Sequence, residues 1–239
     1  MTTAVAHPAG LRFVERLAAL TPSGRAGVPV AWALYDFANT IYSYAVVSFA
    51  FTLWTEDRLG EADGTFWALF ANAASVGLNA LVSPVLGAMS DRGGGRRLPY
   101  LLFFTVQCIL ATAAIGLLPT GSSTLTVLGL LLFTVANFSY QAALIYYDAT
   151  LPVVSKPETR GRVSGMGVAI GYLGTIAIAA LIFVTNSGSG GLTFLMAAAL
   201  FALIAAPIFL VVREPAGRGE RFRVADAIGS WSQLRTTLP

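Results

Sequence analysis

The chain is short of charge, thiols and imidazoles. Only 11% of its 239 residues are Asp, Glu, Lys or Arg, less than half the roughly 25% of an ordinary soluble domain. The single cysteine, Cys108, has no second thiol in the chain to pair with, and it reads as a small packing residue. The single histidine, His7, stands in the N-terminal arm. No cluster of His, Cys, Asp and Glu has metal-ligand spacing. The one glycine-rich turn lacks the preceding strand and the Lys-Ser/Thr pair of a phosphate loop. Enzyme chemistry and cofactors are therefore not expected.

What the chain has instead is hydrocarbon. Apolar residues make up 56% of it, and the mean hydropathy is +0.70. They collect in six runs: Val28 to Trp54, Thr65 to Ser90, Leu98 to Leu118, Leu125 to Tyr147, Val163 to Thr185 and Leu192 to Val212. A helix needs roughly 20 apolar residues to cross a bilayer core, and each run is long enough. These runs are apolar nearly all round, whereas helices of soluble proteins alternate apolar and charged faces. The sequence predicts an all-α membrane protein with six transmembrane helices and the lipid bilayer as its solvent.

All fifteen basic residues lie outside the runs, and fourteen fall in alternate gaps. Arg12, Arg16 and Arg25 precede the first run, and Arg92, Arg96 and Arg97 follow the second. Lys156, Arg160 and Arg162 follow the fourth, and Arg213, Arg218, Arg221, Arg223 and Arg235 follow the sixth. The remaining gaps hold only Arg58, among Glu56, Asp57, Glu61 and Asp63. Basic loops stay on the cytoplasmic side, which places both termini there. The net charge of +3 and pI near 9.2 are then a topology signal and not a nucleic-acid footprint. Three segments follow: a cytoplasmic arm over 1–27, frayed or interfacial, the bundle over 28–212, and a tail or linker over 213–239. In the tail, Val224, Ala227, Ile228, Trp231 and Leu234 share one face of a possible helix. The arm has no apolar core followed by a cleavage site, so no cleavable signal is expected.

The most specific motif lies between runs two and three. It reads Gly87, Ala88, Met89, Ser90, Asp91, Arg92, Gly93, Gly94, Gly95, Arg96, Arg97. Gly87 suits a close helix approach, and the triple glycine suits a tight turn. The stretch resembles the loop signature of the major facilitator superfamily, with one glycine extra. Asp148 through Arg160, Arg162 and Gly165 is similar to that superfamily's loop between helices four and five. Ala33, Leu34, Tyr35, Asp36, Phe37, Ala38 and Asn39 resemble the branch of vacuolar amino-acid effluxers. The likeness runs from about Ala31 to Pro215, half of a twelve-span member of the superfamily.

The resemblance implies one six-helix bundle of two inverted three-helix repeats, although no repeat of residue identity is visible. It implies alternating access of a small solute, with amino acids as the candidate class and protons as the candidate coupling ion. It also implies a second six-helix bundle, either a copy of this chain or a separate C-terminal half. A loop cluster of Asp91, Arg92 and Asp148 is the implied gate, with Arg96, Arg97, Arg160 and Arg162 on the same side. The alternative function is a non-transporting six-helix scaffold or regulatory half.

Polar residues inside the runs mark the candidate pathway. Asp36, Thr40 and Ser43 share a helix face with Asn39 beside them. Asn72, Ser75, Asn79, Ser83 and Ser90 line the second run, and Thr134, Asn137, Gln141 and Asp148 line the fourth. Such side chains are costly against lipid and should face protein or a water-filled cavity. For any single Ser, Thr or Asn a hydrogen bond between helices is the better reading, and it is the stripes together that mark a pathway. Asp36, the one acid inside a run, is either a proton-coupling or substrate-ammonium site, or a structural acid paired with an arginine such as Arg162. Run four contains no basic residue and run five no Gly-Pro step, which argues against drug:proton antiport. The spacing of Gly167 and Gly171 predicts a close helix contact.

Overall fold

The computed structural model describes residues 9–92 and 96–215. It is helical throughout, with no strand among the described residues. The helices are α1 (Ala9–Ala19), α2 (Gly27–Tyr42), α3 (Phe51–Leu59), α4 (Glu61–Arg92), α5 (Leu98–Gly116), α6 (Ser123–Ala149), α7 (Leu151–Val154), α8 (Arg160–Thr185) and α9 (Gly191–Val211). The tail residues 216–239, including the expected amphipathic face, lie outside the described residues, as do His7 and Gly93 to Gly95.

Five of these helices are long and apolar enough to cross a membrane: α4, α5, α6, α8 with its preceding turn, and α9. Each covers one predicted run to within a few residues at either end. The first run differs from expectation, because no single α-helix covers Val28 to Trp54. It is divided into α2, a π-helical stretch over Ser43–Ala50, and α3. At the end of the stretch the Phe51 N–H bonds Val46 O, five residues back, in place of the usual four. The backbone stays right-handed helical at both junctions, so the path from Gly27 to Leu59 is unbroken. Such π turns sit mostly where a helix meets a functional or packing demand.

Packing follows a definite pattern. α2 lies against both α8 and α9, α6 lies against both α4 and α5, and α5 meets α9; α3 packs on α4. Exchanging α2, α4 and α5 with α6, α8 and α9 maps the first three of these relations onto one another. Helices meet closely where side chains are small. Gly116 on α5 and Gly191 on α9 touch backbone to backbone, and the Trp54 indole occupies the space beside Gly129 of α6. Phe51 stacks on Phe133 with ring centroids 3.6 Å apart. The outer surface is apolar: Leu81, Leu110, Leu131, Ile176, Phe183 and Leu203 are exposed. In water these side chains would oppose folding, whereas in lipid they are at home.

Candidate functional site

The seam between α2 and α8 carries the one charged group placed within a run. Gly167, Gly171 and Gly174 recur at helical spacing on α8, and all three are buried. A β-carbon on Gly167 would lie 2.5 Å from the Trp32 ring, one on Gly171 2.6 Å from Asp36 Oδ2, and one on Gly174 2.5 Å from Phe37 O. The expected close contact is thus with α2 of the same bundle. Thr40 closes the seam, its hydroxyl 2.5 Å from Gly171 O and 3.0 Å from Phe37 O. Asp36 is half-buried, and its carboxylate makes no hydrogen bond or ion pair among the described residues. The pairing with Arg162 is not formed, since Arg162 and Arg160 are exposed at the start of α8.

The polar stripes of α4 and α6 meet each other. Asn137 Nδ2 donates to Asn72 Oδ1 at 2.8 Å and to Ser75 Oγ at 2.7 Å, and Ser75 donates to Asn72 O. One turn further along α4, Asn79 is 9% exposed, with its Nδ2 unpartnered. On α2, Asn39 is 4% exposed, and its Oδ1 is likewise unpartnered. Ser43, at the start of the π stretch, is half-buried beside Tyr140, and Gln141 is half-buried on α6. The expected pathway residues therefore separate into a closed knot of Asn72 and Asn137, and an open set of Asp36, Asn39, Asn79 and Gln141.

The basic end of the bundle is sealed by aromatic side chains whose role the sequence did not disclose. Trp32 stacks on Tyr147 at 4.5 Å, and Tyr147 stacks on Tyr35 at 4.9 Å. Their polar atoms are all satisfied: Trp32 Nε1 donates to Thr150, Tyr147 Oη donates to Trp32 O, and Tyr35 Oη lies 2.7 Å from Thr105 Oγ1. Burial in a bundle and residence at a membrane interface require the same amphipathic ring, so the sequence alone does not separate the two.

Asp91 and Arg92 end α4, but their side chains lie outside what the structure describes. Asp148 is exposed at the end of α6 and bonds no described residue. Arg96 is exposed and Arg97 half-buried. No described atom comes near the place of a Gly87 side chain, so the close approach expected there does not involve the described part of this bundle. A different acid holds the loop. Glu214, just beyond α9, accepts hydrogen bonds from the backbone N–H groups of Arg97, at 2.7 and 2.9 Å, and Leu98, at 3.0 Å. It thereby caps α5 from across the chain, where the helix dipole favours an anion. Sequence pattern misses it because caps are sought next to their own helix.

At the opposite end, a polar cleft of about 520 Å³ is lined by Asp57, Arg58, Ser122, Ser123 and Ser189. Arg58 lies 3.7 Å above the Trp54 ring and donates to Trp54 O and Leu118 O. Ser189 donates to Asp57.

Long apolar helices, a lipid-compatible exterior and polar atoms turned inward make the chain an integral multi-pass membrane protein. The chain belongs to the vacuole effluxer Atg22-like family, whose pattern it matches over residues 59–238. It is 28% identical over 201 residues to the uncharacterised MFS-type transporter YxiO of Bacillus subtilis, covering 77% of this chain and 46% of YxiO. It is also 28% identical over 190 residues to an uncharacterised protein of Aquifex aeolicus, covering 78% of this chain and 46% of that one. The chain thus spans about half the length of these relatives. No solved structure matches it significantly.

Proposed function

We propose that this chain is the N-terminal six-crossing bundle of an alternating-access secondary transporter in the cell's inner membrane. Its solute is small and polar, and amino acids are the class to test first. The first crossing, which completes the six, is the unbroken path of α2, the π stretch and α3, of 16, 8 and 9 residues. At about 1.5 Å per residue that path exceeds the bilayer core. The exchangeable pairing of α2, α4 and α5 with α6, α8 and α9 supports two inverted repeats. The basic gaps support cytoplasmic termini.

The observation that carries the transport reading is Asp36. A half-buried carboxylate in a crossing, with no ion pair among the described residues and with glycine opposite, is expensive unless a proton, water or a cationic solute group satisfies it. Asn39 and Asn79 add unpartnered polar atoms of the same kind. These groups form half of a solute site, and a second six-helix bundle, from a copy of this chain or a separate C-terminal half, supplies the rest.

The test is uptake of labelled amino acids by proteoliposomes containing this chain alone, and containing it with a C-terminal six-helix half. Uptake above empty liposomes in either preparation is the expected result. No uptake in both, with the bundle folded, leaves the scaffold reading in its place.

A further inference from the structure

The helix that precedes the first crossing has an apolar face that nothing in the described bundle covers. At 100° per residue, Phe13, Leu17, Val14, Ala18 and Leu11 occupy about 160° of α1, and Arg12, Glu15 and Arg16 occupy the opposite arc. Leu11, Phe13 and Val14 are each at least half exposed, at 50%, 62% and 51%. The helix is nevertheless not free to drift. Leu20 O, one residue beyond its end, accepts hydrogen bonds from Lys156 N at 3.2 Å and Thr159 Oγ1 at 2.6 Å, and Thr21 is fully buried. This pins α1 beside the start of α2 and α8, at the end of the bundle where Arg25, Arg96, Arg160, Arg162 and Arg213 are exposed.

We propose that α1 lies in the plane of the membrane, its apolar face seated in the acyl boundary and Arg12 and Arg16 directed to anionic lipid headgroups. Three observations select lipid as the occupant. A helix of 11 residues is far too short to span the core. An apolar face of three large side chains, with basic residues at its polar edge, is the chemistry of interfacial helices. The tether at Leu20 holds that face at the end of the crossings, where the bilayer boundary must fall. The inference rests on the chain being membrane-embedded, and not on which solute it carries.

Spin labels on the full chain test it. With Cys108→Ala as background, Arg12→Cys, Phe13→Cys, Val14→Cys and Glu15→Cys are labelled in turn. The protein is reconstituted in phosphatidylcholine vesicles with about a quarter phosphatidylglycerol. Collision rates with oxygen, which concentrates in lipid, and with a water-soluble nickel complex are then compared. The oxygen-to-nickel ratio at positions 13 and 14 should exceed that at 12 and 15 at least about threefold, as for an amphipathic helix at the interface. The difference should shrink in pure phosphatidylcholine and in the Arg16→Glu variant. Equal nickel access at all four positions means a free arm and overturns the proposal. Shielding of 13 and 14 from both reagents means a protein partner covers the face, which also overturns it. A label at Leu110→Cys, on the exposed face of α5, reports separately whether the bundle is embedded in the bilayer.

Discussion

Asp36 shows what a single residue can decide. Its carboxylate faces Gly171 with no hydrogen-bond donor among the described residues, so substitution by Asn preserves shape and removes only ionisation. Asp36→Asn should lower solute exchange in proteoliposomes and abolish its stimulation by an imposed pH gradient. Unchanged stimulation in vesicles that still exchange solute excludes a coupling role. Gly171 is the complementary case, because its substitution changes volume alone. Gly171→Val places a β-carbon 2.6 Å from Asp36 Oδ2 and crowds the Thr40 bond. We expect about 1–3 kcal/mol of destabilisation, the usual cost of overpacking, seen as a lower midpoint of thermal unfolding in detergent. The sequence identified both residues, Asp36 by its isolation among apolar neighbours and Gly171 by its spacing from Gly167. It did not show that they meet, because a contact between α2 and α8 joins positions more than a hundred residues apart.

At the scale of elements, hydropathy located the crossings and missed their internal structure. The run Val28 to Trp54 reads as one long apolar stretch despite Asp36, and nothing in hydropathy separates α-helical from π-helical turns. That choice belongs to packing, with α2 held between α8 and α9 and α3 held on α4. The polar stripes were legible as stripes, yet Asn72 and Asn137 turn toward each other while Asn39 and Asn79 keep unpaired atoms. Helical periodicity gives a face, and only the neighbour on that face decides whether it is a bond or an opening. The α5 N-terminus follows the same rule, since its cap arrives from Glu214, 116 positions after Leu98. Glu214→Ala should cost about 1 kcal/mol, as loss of an N-cap does, and speed hydrogen exchange of the first α5 amides. Equal exchange in both proteins means the contact contributes nothing in solution.

At the scale of the whole molecule, the alternating basic gaps and the relation among helix pairs point to the same arrangement. An even number of crossings with basic loops on one side puts Ser23 and Arg213 on the same face. In right-side-out vesicles, Ser23→Cys and Arg213→Cys should react with a membrane-impermeant maleimide only after permeabilisation, whereas Gly121→Cys should react from outside. Outside labelling of either of the first two contradicts the proposed topology. In the proposed transporter the polar groups of α2, α4 and α6 supply one side of the solute site, and transport depends on what stands opposite. Aromatic stacking of Trp32, Tyr35 and Tyr147 fills the basic end of the bundle, with the polar atoms of the three rings hydrogen-bonded.

The sequence by itself determined the solvent, the approximate crossings and the family. These follow from local composition: an apolar run long enough for the bilayer is one wherever it occurs, and a loop motif is legible at short range. Tertiary structure alone decided that Gly167 and Gly171 receive α2, that Asn137 is spent on Asn72 while Asp36 has no partner among the described residues, and that Glu214 holds the backbone of Arg97 and Leu98. Each of those outcomes depends on which distant segment arrives to share a space of a few ångströms. Spacing along one helix cannot specify what lies across from it.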